Sequence, residues 1–135
     1  MKARIAAPIV ALITLFYVAS ALAQDWKPLI APDELVALSG RVDLIDIRQV
    51  SGGAGYDAGH IDGAVSAPYP LWRGPPGNPG QRLTDVELSM LLRAKGVTRR
   101  RPVVIAFLGS NPTDFGAAAR VYWTLKSAGV ERIAI

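Results

Sequence analysis

Apolar positions in this chain fall into three patterns, each predicting a different kind of segment. The first is an unbroken uncharged run from Ile5 to Leu22, preceded by Lys2 and Arg4 and followed by the polar pair Gln24-Asp25. The second is a set of short apolar runs of strand length: Val42 to Ile47, Ala64 to Ala67, Pro102 to Phe107, and Glu131 to Ile135. Hydrophobicity that is continuous rather than alternating marks strands buried on both faces, as in a parallel sheet. The third is helical spacing, at Leu35 and Leu38, at Leu88, Leu91 and Leu92, and at Ala118, Tyr122 and Leu125.

Each helical pattern carries its own end signals. Pro32-Asp33-Glu34 opens a short helix, because proline in a first turn loses no hydrogen bond and the acids favour the positive end of the dipole; Gly40 stops it. Thr84-Asp85-Val86-Glu87 forms a capping box, and Gly96 terminates the helix that follows. A third helix is predicted from about Asp114 to Ser127, with Gly129 as its end. Strand, helix, strand, helix and strand in alternation give an α/β domain with a parallel central sheet flanked by helices.

The connections differ in character. Asp25 to Ile30 reads as an extended lead-in containing Trp26, and Gln49 to Gly55, with three glycines, as a flexible loop. Tyr56 to Gly63 returns the chain to the sheet, and Pro68 and Pro70 end the Ala64–Ala67 strand. Leu71 to Gln81 is rich in proline and glycine and predicts a loop with little internal hydrogen bonding. Trp72 and Trp123 read as core or interface packing.

Composition changes this picture in three places. The basic start, the apolar run and the Ala21-Leu22-Ala23 site read as a signal peptide over residues 1–23, cut after Ala23, with an uncleaved N-terminal anchor as the alternative. The mature domain is then 24–135, periplasmic or secreted, with no stable membrane association after cleavage. Removing Lys2 and Arg4 lowers the formal charge from +4 to +2, so the overall balance gives little reason to expect a nucleic-acid partner. Arg99-Arg100-Arg101, the one dense basic run, reads as a solvated turn between helix and strand, with an anion-attracting patch as the minor reading. The chain has no cysteine and one histidine, His60, with no ligand partners at metal spacing, so no metal or cofactor is expected.

Candidate chemistry gathers where strands end. Asp46 and Arg48 close an apolar strand, and the Gly59-His60 loop follows; these residues read as a structural motif that fixes neighbouring loops through charge-assisted hydrogen bonds. Leu108 to Thr113 joins a buried strand to a helix start, where free amides and the helix dipole suit an anion. Gly109 and Ser110 are candidates for such contact, although Pro112 contributes no N–H. Arg73 and Arg120 are further anion-binding or interdomain candidates.

The pair Asp46-x-Arg48 and Gly59-His60-Ile61-Asp62-Gly63-Ala64 resembles the two signatures of rhodanese-like sulfurtransferase domains. That resemblance implies a three-layer α/β fold, and in active members a cysteine directly after a central strand, which carries sulfur as a persulfide. Here Leu108 stands at the cysteine position, so no catalytic residue is present and the chain alone is expected to be inactive. Tyr69-Pro70-Leu71-Trp72-Arg73-Gly74, Asn78-Pro79-Gly80 and the segment from Asp114 to Leu125 resemble the first, usually inactive, domain of tandem thiosulfate sulfurtransferases. The likeness runs from about Val42 to Ile135. It implies a non-catalytic domain of a periplasmic thiosulfate or mercaptoacid sulfurtransferase, which shapes the site of a cysteine-bearing second domain in cis or in trans. A small sulfur-containing anion is an implied ligand. The chain stops inside an apolar strand, which predicts a truncated domain from a longer protein. The alternative is a free-standing periplasmic binding or scaffold module without sulfur transfer.

Overall fold

A computed structural model describes residues 26–135; the predicted signal peptide and its cleavage site lie outside the described residues. The strands are β1 (Asp43–Asp46), β2 (Val65–Ser66), β3 (Val103–Ala106) and β4 (Ile133–Ala134). The helices are α1 (Pro32–Ala37), α2 (Asp85–Ala94) and α3 (Pro112–Ser127), with 3-10 turns at Tyr56–Ala58 and Tyr69–Trp72. The strands form one sheet in the order β2-β1-β3-β4, and every pairing is parallel. The expected parallel α/β architecture is therefore present. Its strands are shorter than the apolar runs, although Ile47 N–H still donates to Ala106 O and Ala67 N–H to Asp46 O just beyond them.

Side-chain parity along the strands sorts the core into two layers. Ile45, Ile47, Val103, Ile105 and Ile133 face one layer with Leu88 of α2 and Ala118, Val121 and Leu125 of α3. Leu44, Val104 and Ala134 face the other, against Leu35 of α1 and the half-buried Trp26 and Ile30. The lead-in does more than approach the sheet. Ile135 N–H donates to Pro28 O and Ile30 N–H donates to Ile135 O, the bonding pattern of a parallel ladder, so residues 28–30 extend the sheet beyond β4.

Several local expectations meet the structure differently. Leu38 is only half-buried, and α1 buries no residue completely, as its single and a half turns leave little to pack. The Thr84 capping box forms as predicted, with Glu87 N–H donating to Thr84 Oγ1 and Thr84 N–H to Glu87 Oε2. The tryptophans divide: Trp72 is fully buried, its Nε1 donating to Ala67 O at 2.9 Å, whereas Trp123 is 52% exposed and belongs to the surface. The Pro/Gly loop is tight at Gly74, where an added Cβ would sit 2.5 Å from Asn78 O.

One buried charge fixes the carboxyl edge of the sheet. Asp46 is fully buried and accepts from Arg48 at three nitrogens: the backbone N–H at 3.0 Å, Nε at 3.0 Å and Nη2 at 2.6 Å. The same guanidinium donates to Ala54 O at 3.2 Å and Gly59 O at 2.8 Å, tying both following loops to the strand end. The loop read as flexible also carries backbone bonds of its own. Tyr56 N–H donates to Gln49 O and Asp57 N–H to Val50 O, and a Cβ at Gly55 would lie 2.9 Å from Gln49 O. Removing one member of a buried ion pair strands the other, so Arg48→Leu should cost about 3–5 kcal/mol in urea unfolding. Adding Asp46→Asn to that variant should restore part of the loss, and a single-variant loss below about 1 kcal/mol would contradict this role.

Candidate functional site

The chain reverses its direction of travel across the sheet between β1 and β3, because β2 adds on one side of β1 and β3 on the other. In open parallel sheets the crevice outside the strand ends at such a switch point is the usual ligand site. A cleft of about 400 Å³ lies there. One wall is the loop after β1, including Arg48 and residues 51–55; the other is the segment after β3, including Phe107, Leu108 and Asp114, with Tyr69 also contributing.

The two residues that follow β3 carry no nucleophile. β3 ends at Ala106, one residue before the expected Phe107, and Phe107 and Leu108 follow it. Both side chains are hydrocarbon. Leu108 is 49% exposed, and Phe107 packs edge-on against Phe115 with ring centroids 6.1 Å apart. Neither can carry sulfur or activate water.

The helix start beside them is already filled. α3 begins at Pro112, two residues before the expected Asp114, with Asn111 as its N-cap. Proline at the first helical position costs no hydrogen bond there, which removes the reason for reading Pro112 as loop. Asn111 Oδ1 accepts from Thr113 N–H at 2.8 Å and Asp114 N–H at 3.1 Å. Asp114 reaches back, its Oδ2 accepting from Ser110 N–H at 2.9 Å and from Ser110 Oγ at 2.6 Å. The Ser110 hydroxyl first, and the neighbouring amides after it, hold the Asp114 carboxyl below the usual range. The amides at Ser110, Thr113 and Asp114 thus bond to the protein's own oxygens, and a carboxylate occupies the place an anion would take. Sequence reading missed Asn111 and Asp114, although Asn-Pro-Thr-Asp is a helix-start signature in its own right.

The remaining candidates separate into two groups. Gly59 joins Asp46 and Arg48 through its carbonyl, and His60 is exposed, stacked on Tyr56 at 3.8 Å with Nδ1 3.1 Å from Tyr56 O. Among the described residues no group of His, Asp or Glu has metal-binding geometry. Arg73 and Arg120 do not line the cleft. Arg73 lies over the Tyr69 ring at 5.5 Å; Arg120 lies over Trp123 at 5.4 Å and donates from Nη2 to Gly80 O and Gln81 O. Arg120 therefore clamps the Pro/Gly loop onto α3, leaving Trp123 beside it in solvent.

No family model matches the sequence, and no curated protein matches it. Solved structures do. The 3-mercaptopyruvate sulfotransferase SseA of Escherichia coli, described as having the rhodanese fold, aligns with 78% of this chain and 38% of its own at a TM-score of 0.62 and 21% identity. The EanB T414V variant in complex with hercynine aligns with 78% of this chain and 23% of its own, at a TM-score of 0.53 and 27% identity. The chain therefore spans well under half the length of either neighbour. With its four parallel strands and helices on both faces, it has a rhodanese-like α/β fold.

Proposed function

We propose that this chain is a non-catalytic rhodanese-fold domain of an exported sulfurtransferase, acting by packing on a cysteine-bearing domain and helping to shape that domain's site for thiosulfate or a mercaptoacid. The single observation carrying this reading is the state of the edge after β3. Phe107 and Leu108 stand where a thiolate would have to be, and Asp114 occupies the helix start that would have to stabilise it. A persulfide carrier needs a nucleophilic sulfur and a positive cradle. This chain supplies neither, while the scaffold that holds such a site remains intact.

The face offered to a partner is the Pro/Gly loop with α3. Leu71, Phe115 and Trp123 are large apolar side chains left substantially in solvent, and Arg73 and Arg120 lie over aromatic rings beside them. Aromatic and arginine side chains of this kind dominate protein contacts. On this reading Arg73 and Arg120 serve an interdomain contact.

The test is sulfur transfer from thiosulfate to cyanide and from a mercaptoacid to a thiol. The chain alone should give the uncatalysed rate. A cysteine-bearing rhodanese-fold domain from the same source should become more active when the chain is added, and Trp123→Ala should abolish the gain. A partner rate indifferent to the chain would instead favour the free-standing scaffold. Phe107→Cys and Leu108→Cys should each stay near background, since Asp114 opposes a thiolate beside it; robust turnover by either would overturn the argument.

The Asp114 contact also has a pH signature. A carboxyl held below its ordinary range contributes stability fully above the unfolded-state value, and loses it as pH falls through the lowered folded value. Asp114→Asn should therefore lower the Tm at neutral pH, and the gap from the parent should close below roughly pH 4. A gap that stays constant down to pH 2 would show that the charge at Asp114 contributes nothing.

A further inference from the structure

The edge of the sheet opposite the cleft has its own character. In a parallel α/β sheet every helix-to-strand connection arrives at the amino ends of the strands. This chain places its cations in those connections. Arg41 follows α1; Arg93 and Lys95 end α2; Arg99, Arg100 and Arg101 lead into β3. Lys126 ends α3 and Arg132 leads into β4. Eight of the fifteen Lys and Arg thus meet on one edge, with Asp43 and Glu131 as the acids in the same connections and Asp62 in the connection that leads into β2. Among the described residues only Arg101 of these eight has a carboxylate at ion-pair distance, Asp43 at 2.9 Å.

Helix dipoles account for part of this arrangement, since a cation in a last turn is stabilising. Arg99 bonds Ala128 O, and Arg132 bonds Arg100 O. These bonds satisfy carbonyls but leave the charge uncompensated. Arg93 and Arg100 are exposed, and like Lys95 they make no side-chain hydrogen bond among the described residues. The acids collect at helix starts instead, as with Asp33, Glu34, Asp85, Glu87 and Asp114. The domain therefore carries an excess of cations at the amino ends of its strands, which its small net charge conceals.

A second observation points to what this edge meets. Residues 28–30 run parallel to β4, so the chain enters the sheet from the basic edge, at Trp26. The uncharged run from Ile5 to Leu22 is joined to the domain at that edge by a few residues. An apolar run and a polybasic patch are both membrane-directed features, and the described part of the chain begins, at Trp26, on the basic edge.

We propose that the amino-end edge of the sheet is a docking surface for anionic lipid headgroups. It holds the domain against the bilayer while residues 5–22 are attached and gives only a weak, salt-sensitive contact without them. The cleft and the Trp123 face then point away from the lipid or along it, open to a partner.

The test uses the full chain, which lacks cysteine and so accepts a single label. Thr98→Cys reports on the basic edge and Ser51→Cys on the cleft edge, each carrying an environment-sensitive fluorophore. The vesicles are phosphatidylglycerol–phosphatidylcholine mixtures or phosphatidylcholine alone, both containing a headgroup quencher. The label at 98 should be quenched on the anionic vesicles and far less on neutral ones; the label at 51 should stay bright on both. The triple variant R93Q/K95Q/R100Q, which removes no hydrogen bond described above, should reduce the preference for anionic vesicles by roughly a hundredfold at low salt. Equal quenching at both positions, or a preference unchanged in the triple variant, would overturn the proposal. So would release from the vesicles by a single-stranded oligonucleotide at equal phosphate concentration, which would assign the edge to nucleic acid.

Discussion

The carboxyl edge of this fold depends on one buried ion pair. Asp46 leaves water completely, which is unfavourable unless every oxygen lone pair in use finds a donor, and Arg48 supplies those donors from two residues away. Because the same guanidinium also binds Ala54 O and Gly59 O, satisfying the charge and shaping the loops are one event. The glycine-rich segment after β1 is tied to the strand end by this contact and by the backbone bonds of Tyr56 to Gln49 and of Asp57 to Val50. The cleft wall it forms is correspondingly fixed.

Across the cleft the same economy produces the opposite chemistry. A helix start at the end of a central strand is normally an electropositive place with amides to spare. Here Asn111 and Asp114 take up the amides of residues 110, 113 and 114, and a carboxylate stands at the positive end of α3. The chain's own side chains therefore occupy this helix start. The exposed aromatic side chains of α3 and the cations at the amino ends of the strands lie away from it.

How much of this the sequence shows depends on how local each cause is. β3 was legible because Val103–Ala106 is apolar on both faces, and α2 because the Thr84/Glu87 box is a contact three residues apart. The start of α3 lies two residues before the expected Asp114, because Asn111 caps it and makes Pro112 a first helical residue. The exposure of Trp123 follows from helical phase: Ala118, Val121 and Leu125 take the buried side of α3 and leave residue 123 outside. Arg120 reads from the sequence as an anion-binding or interdomain candidate, and its carbonyl partners, forty residues away, are shown by no local pattern. The pairing of residues 28–30 with β4, and the charge separation between the two sheet edges, exist only once the strands are assembled.

The central claim is that the edge after β3 is chemically closed by the chain itself. The most direct measurement is a thiosulfate titration followed by amide chemical shifts of residues 107–114 in the full chain. The account predicts that these amides do not move up to millimolar thiosulfate, because Asn111 and Asp114 already hold them. A saturable shift centred on Ser110, Thr113 and Asp114 would contradict it and make the loop an anion site.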